Sequence, residues 1–210
     1  MARVEHVYLF DIDGTLVNAQ GVGSRAFRRA VQDLLQHELD WHGRDFAGMT
    51  DAGLFERAIT EARQAQSMQS LTQLYHDYLA EALAKQPALV LPGAQELIHS
   101  LAAQQNARVG LLTGNTRRGS ELKLADLFTQ FCFGFFGDEH TERTALGVAA
   151  REQISAEFGA GVAMTVIGDT PNDIACARAA GADCVAVVTG LYTAEELAAA
   201  DRVLRDLTHW

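Results

Sequence analysis

Cysteine, lysine and long apolar runs are all scarce in this chain, and each shortage excludes a class of protein. The three cysteines, Cys132, Cys176 and Cys184, are scattered, odd in number and without Cys-x-x-Cys spacing. That argues against a disulfide framework and against a zinc site, and it fits a reducing cytoplasm. The apolar run near the N-terminus is cut by Asp11 and Asp13 before it reaches signal-peptide or membrane length, so no targeting or spanning segment is expected. Basic charge is short too: 17 lysines and arginines stand against 27 acids, for a formal charge of −10. Such a surface repels nucleic acid phosphates and anionic membranes, and neither is expected as a partner. An anionic substrate has to be met locally, by metal, backbone donors or a few arginines, because Lys85 and Lys123 are the only lysines.

What is present is an ordinary globular composition, 48% hydrophobic and 21% charged, in 210 residues. This is enough for one core with a smaller insertion. Four short runs have the length and β-branched or aromatic character of buried strands: Val4 to Phe10, Arg108 to Leu112, Ala163 to Ile167 and Cys184 to Val188. A weaker fifth lies near Phe131 to Phe136. Amphipathic stretches near Arg117 to Leu127, Thr144 to Phe158 and Pro171 to Ala180 alternate with them. The pattern predicts an α/β fold, a parallel sheet with helices on both faces and its ligand crevice at the carboxyl ends of the strands. The segment from Val17 to Pro87 breaks the alternation: Phe27, Val31, Leu34, Leu35 and then Leu71, Leu74, Tyr75, Tyr78, Leu79 follow helical spacing. It reads as an inserted α-helical bundle, a cap over the carboxyl edge. An alanine-rich helix is expected at Ala194 to Ala200, opened by the capping-box pattern Thr193 to Glu196.

Three segments carry chemistry. Phe10-Asp11-Ile12-Asp13-Gly14-Thr15-Leu16 ends the first run. Two carboxylates roughly 4 Å apart repel by about 4 kcal/mol at an effective dielectric of about 20, so two acids leaving a buried strand call for a cation. A divalent ion answers, and magnesium, with its preference for hard oxygen ligands, is the expected one. The plainer account is a turn at Asp13-Gly14 with Asp11 an exposed strand-end acid. Gly168-Asp169-Thr170-Pro171-Asn172-Asp173 repeats the theme after another apolar run. Read singly, Asp169 is a helix N-cap and Asp173 a first-turn acid favoured by the dipole; read with Asp11 and Asp13, they complete a metal site. Leu112-Thr113-Gly114-Asn115 ends a strand in a small hydroxyl residue and a glycine, so that backbone N–H groups can approach an anion and Thr113 can hold a phosphate oxygen. An ordinary turn capped by Asn115 or Thr116 accounts for the same residues.

In this order the three segments resemble three of the four motifs of the haloacid dehalogenase superfamily, across essentially the whole chain. Cap position and length are similar to the phosphoglycolate phosphatase-like branch, whose cap is also helical and inserted after the first motif. The resemblance implies a Rossmann-like core over 1–16 and 88–210 and a cap over 17–87. It also implies a magnesium-dependent phosphoric monoester hydrolase acting on a small phosphorylated metabolite. Asp11 would be the nucleophile, and Asp13 the acid toward the leaving oxygen and then the base toward water. Asp11, the backbone carbonyl of Asp13, and Asp169 would hold the ion, with Asp173 a further ligand or an orienter of one. Thr113, Gly114 and Asn115 would bind phosphoryl oxygens.

The lysine-proline pair of the remaining motif is absent. Arg143, after the weak fifth strand, is preferred as its cation, since arginine can also grip phosphate bidentately. Lys123 lies about two helical turns beyond Asn115, and a rise of about 1.5 Å per residue should carry it away from the crevice. Their plainer accounts are a solvated arginine beside Glu139 and Glu142 and a surface helix lysine. Gly48-Met49-Thr50-Asp51 resembles cap loops that close over the site, and Asp51 either touches substrate or caps a helix. Asn18-Ala19 replaces the acid and serine frequent after the first motif, so the substrate stays open. Arg25, Arg28, Arg44 and Arg57 are cap candidates for a carboxylate or second phosphate. Asp13 argues against a dehalogenase, and Lys85, at the far end of the cap, against a phosphonate hydrolase. A phosphomutase, or a catalytically silent binding module of the same fold, is the alternative.

Overall fold

Strands whose apolar residues follow one another without polar alternation have to be covered on both faces. The computed structural model, which describes residues 3–64 and 68–210, has this arrangement. In chain order its elements are β1 (His6–Phe10), β2 (Val17–Asn18), α1 (Val22–Leu35), α2 (Gly43–Phe46), α3 (Asp51–Ala62), α4 (Met68–Lys85), β3 (Leu89–Val90), α5 (Ala94–Ala102), β4 (Ala107–Leu112), α6 (Arg117–Leu124), β5 (Gly134–Phe135), α7 (Arg143–Phe158), β6 (Ala163–Gly168), α8 (Pro171–Ala179), β7 (Asp183–Val187) and β8 (Arg202–Leu204). Six strands form one sheet in the order β5-β4-β1-β6-β7-β8, and every pair in it is parallel.

Successive residues of each strand serve opposite cores. Val7, Leu9, Met164, Val166, Cys184 and Ala186 join Leu146, Ala150, Ile154 and Ile174 of α7 and α8 on one face. Phe10, Val109, Leu111, Ile167, Val185 and Val187 meet Leu97, Ile98 and Leu101 of α5 on the other. A third cluster belongs to α1, α3 and α4 and is built on Phe27, Val31, Phe55, Leu71, Tyr75 and Leu79. The chain leaves the sheet after β1 and comes back through β2 and β3, which pair as a short antiparallel ribbon. Because β1 has β4 on one side and β6 on the other, the chain changes direction across the sheet there, which is where a ligand crevice forms.

Several sequence expectations need correction. The fifth strand is only Gly134–Phe135. Ala194 to Ala200 forms turns rather than a helix. The capping box of Thr193 and Glu196 does form, but Glu196 is also gripped by Arg44 and the next hydrogen bonds fall into a mixed pattern of three- and four-residue spacings, so no regular helix propagates. The ribbon strands and β8 were not anticipated; two- and three-residue strands are too short to show a period. Of the expected division of the chain, residues 1–2 and 65–67 lie outside the described residues. Among the described residues no helix is long and apolar enough to cross a membrane.

Leu79 is fully buried between the packed helices α1 and α4. Leu79→Ala should cost about 2–5 kcal/mol by lost burial and residual cavity. Urea denaturation should show this as a lower midpoint with an unchanged slope.

Candidate active site

Register decides which side chains meet at the carboxyl edge. Phe10 lies beside Leu111 on one side and Ile167 on the other, so Asp11, Thr113 and Asp169 emerge next to one another as the strands end. The Asp11 N–H is held by the Ile167 carbonyl at 2.9 Å. Asp11, Asp169 and Asp173 each offer a carboxylate oxygen within 4.8 Å of the others, and all three are buried. Burial, followed by the charge of Asp173, pushes the Asp11 carboxyl up to about 7 against the pull of Arg143. Burial, then the charges of Asp173 and Asp11, push Asp169 well above the usual carboxylate range.

One guanidinium answers three carboxylates. Arg143 Nη2 donates to Asp11 at 3.1 Å, to Asp173 at 2.7 Å and to the Leu112 carbonyl at 2.7 Å. Its Nε and Nη1 are buried without a partner. Two negative charges are left over, and the donors are hard oxygens, so the trio fits a divalent cation. The steric surroundings are equally specific. Gly14 has φ of +80°, and a Cβ there would stand 2.3 Å from Asp169 Oδ2; at Gly190 it would stand 1.7 Å from the same atom. Thr15 Oγ1 donates to the other Asp169 oxygen at 3.2 Å. Asp173 closes a capping box on α8, accepting from the Thr170 hydroxyl at 2.7 Å and its N–H at 3.1 Å.

Asp13 stands apart from the trio. Its Oδ2 accepts from Lys123 Nζ at 2.5 Å and Asn115 Nδ2 at 2.9 Å, and its side chain is 41% exposed. Lys123 also donates to Asn115 Oδ1 at 2.6 Å. The argument that helical rise carries Lys123 away from the crevice therefore fails: α6 lies alongside the edge, and the side chain spans the gap. Burial opposes the ammonium charge, but Asp13 and Asp51 outweigh it and hold the pKa above the usual lysine value. Arg143 and Lys123 are both buried, one under the carboxylate trio and one beside Asp13. Thr113 Oγ1 accepts from Asn115 Nδ2 at 2.9 Å. Gly114 borders the cavity, and its carbonyl accepts from the Asp51 N–H at 2.7 Å.

Asp51 is not an N-cap, since Thr50 caps α3. Its Oδ2 instead accepts the Thr116 N–H of the core at 2.7 Å, and it also reaches the cavity surface. That cavity, of about 370 Å³, is floored by Asp11, Asp13, Gly114 and Asp169 and walled by Phe27, Phe46, Leu54 and Tyr75 from the helical segment. Its volume suits a small metabolite. Thr189 and Gly190 were missed in the sequence, and Thr15, named there only as part of the first segment, was given no role. The position of Thr189 and Gly190 just beyond β7, at the carboxyl edge, was the available signal.

The description "haloacid dehalogenase-like hydrolase" belongs to a family model that matches residues 6–181. The chain belongs to this family. Validoxylamine A 7'-phosphate phosphatase of Streptomyces hygroscopicus subsp. limoneus is 29% identical to it over 96% of this chain and 94% of that protein. Probable phosphatase IndB of Dickeya dadantii is 27% identical over 92% and 85%. In structure, CbbY from Rhodobacter sphaeroides, solved with phosphate, superposes with a TM-score of 0.74 at 18% identity, covering 97% of this chain and 95% of that one. The Rossmann-like fold of the family is thereby shown, and the names of both relatives agree with a phosphoric monoester hydrolase.

Two tests follow from this geometry. Gly190→Ala should displace Asp169 and weaken magnesium binding, read by calorimetry, by about tenfold or more; unchanged affinity would remove Asp169 from the ligand set. Burial raises Asp51 to about 6, so the folded protein holds its proton more firmly than the unfolded chain. That contribution to stability is complete below about pH 4 and is lost as pH rises through about 6, on the order of 3 kcal/mol. Asp51→Asn, which keeps an acceptor for Thr116, should flatten the fall in denaturation free energy over that window.

Proposed function

We propose that the protein is a magnesium-dependent phosphatase that hydrolyses a small phosphate monoester through an aspartyl-phosphate on Asp11. In this reading 1–16 and 88–210 form the catalytic core and 17–87 the cap, as in the phosphoglycolate phosphatase-like branch. The observation that carries it is the pairing of a buried Asp11, set among Asp169 and Asp173, with a half-exposed Asp13 that lines the same cavity.

Asp11, Asp169 and Asp173, with the backbone carbonyl of Asp13, are the groups to hold magnesium. When bound, the ion neutralises charge on the transferring phosphoryl group. Asp11 attacks phosphorus as the bond to the leaving oxygen breaks, and that oxygen takes the proton of Asp13. Asp13 then removes a proton from water, which attacks phosphorus, releases phosphate and regenerates the Asp11 carboxylate. Lys123 and Asn115 occupy Asp13 Oδ2, leaving Oδ1 for these transfers. Arg143 holds Asp11 in place and opposes the rise in its pKa. Thr113, Gly114 and Asn115 edge the phosphoryl position.

Phosphate release from a panel of small esters, with magnesium and with chelator, tests the reading. Release should require magnesium, and Asp11→Asn should lower it by about a thousandfold or more. Turnover that survives in Asp11→Asn would eliminate the aspartyl-phosphate. A folded, magnesium-binding protein that releases no phosphate from any ester would point instead to the mutase or the silent module.

A further inference from the structure

The phosphate is one end of such a substrate, and the cavity wall meets the other. We infer that the cavity selects esters whose organic part carries no negative charge and offers hydroxyls on one side and an apolar face on the other. This rests on the phosphatase reading and adds the class of leaving group.

Charge on the wall carries the argument. Asp11, Asp13, Asp51 and Asp169 reach the cavity surface, and Lys123 is the single basic side chain doing so among the described residues. Its ammonium is already engaged by Asp13 and Asn115. Even a bound dication leaves such a wall on the negative side, so a second anion is repelled in a setting poorly screened by solvent.

The arginines suited to a second anion are all engaged, Arg25 and Arg44 against the outer, carbonyl side of the lining residues Gln20 and Leu191. Arg25 donates to the Gln20 carbonyl and to Gln86. Arg28 donates to the Trp41 carbonyl. Arg44 forms a two-pronged pair with Glu196, and Arg57 binds Glu61 over the Trp41 ring. None of the four lines the cavity.

The rest of the lining is neutral. Phe27, Phe46 and Leu54 give an apolar wall, and Asn18, Gln20 and Ser24 give uncharged hydrogen-bonding groups. The N-terminal end of α1, at Gly21 and Gly23, also borders the cavity, but a helix end amounts to about half a unit charge, far less than the carboxylates opposite. The uncharged hydrogen-bonding groups suit hydroxyls.

Matched substrates decide it. Glycerol 3-phosphate is compared with 3-phosphoglycerate, and glucose 6-phosphate with glucose 1,6-bisphosphate, by kcat/KM with magnesium. The neutral member should be favoured by about tenfold or more, and Ser24→Arg, which adds a cation to the wall, should narrow that gap by about tenfold. An acidic member hydrolysed as well as its neutral counterpart overturns the inference. Calorimetry of the same four esters on magnesium-loaded Asp11→Asn supplies a readout independent of turnover. If the wild type hydrolyses none of them, the wider ester panel judges the phosphatase reading, and this binding comparison alone judges selectivity. Tighter binding of the neutral members upholds it, while equal binding, tighter binding of the acidic members, or binding of neither overturns it.

Discussion

Three buried carboxylates around one guanidinium set the terms for everything near the carboxyl edge. Left alone, Asp11, Asp169 and Asp173 repel one another in a place where water cannot screen them, and Arg143 offsets only part of that. The site therefore draws on the rest of the fold to hold it together. The register of β1 between β4 and β6 brings the acids together. The capping box of α8 fixes Asp173, and Gly14 and Gly190 leave the space that Asp169 fills. Two apolar cores, one on each face of the sheet, supply the stability that such a concentration of like charge removes.

The same edge determines how the helical segment can lie over it. The loop before α3 joins the core through backbone groups: the Asp51 N–H meets the Gly114 carbonyl at 2.7 Å and the Ala52 N–H meets the Gly137 carbonyl at 3.1 Å. Thr50 Oγ1 adds a bond to the Thr141 carbonyl at 2.8 Å. A Cβ on Gly114 would come within 1.9 Å of the Met49 carbonyl oxygen, so this close seam depends on the absence of a side chain there. Charged floor and apolar wall thus come from different parts of the chain, joined by backbone contacts that the small residue at 114 permits and by the side chains of Thr50 and Asp51.

That division explains what could be read in the sequence. The four longer strands, α6 to α8 of the core and the two main helices of the insertion announce themselves because burial imposes a period on their residues, whereas α5, Ala94–Ala102, was not read. Asp11 and Asp169 are legible because an acid ending an apolar run has a cost that demands an explanation. Gly190 and Thr15 are not: their importance comes from the space around Asp169, which depends on how separate loops pack. The Ala194 to Ala200 segment misleads for a related reason. Its local signals favour a helix, but Arg44, more than a hundred residues away, takes hold of Glu196 and tertiary contact overrides propensity.

Lys123 shows most clearly where a one-dimensional argument stops. Distance along a helix axis says nothing about how the helix is tilted toward a site, and a lysine side chain reaches several ångströms beyond its backbone. In a chain with two lysines, burying one is costly, and breaking a buried ion pair by removing one partner typically loses about 3–5 kcal/mol. The two buried cations divide the acids between them: Arg143 binds Asp11 and Asp173, and Lys123 binds Asp13. Each acid has its own cation although Asp11 and Asp13 are two residues apart and still feel one another's charge. Two fixed cations thus hold neighbouring acids in different surroundings, Asp11 buried among Asp169 and Asp173 and Asp13 facing the cavity.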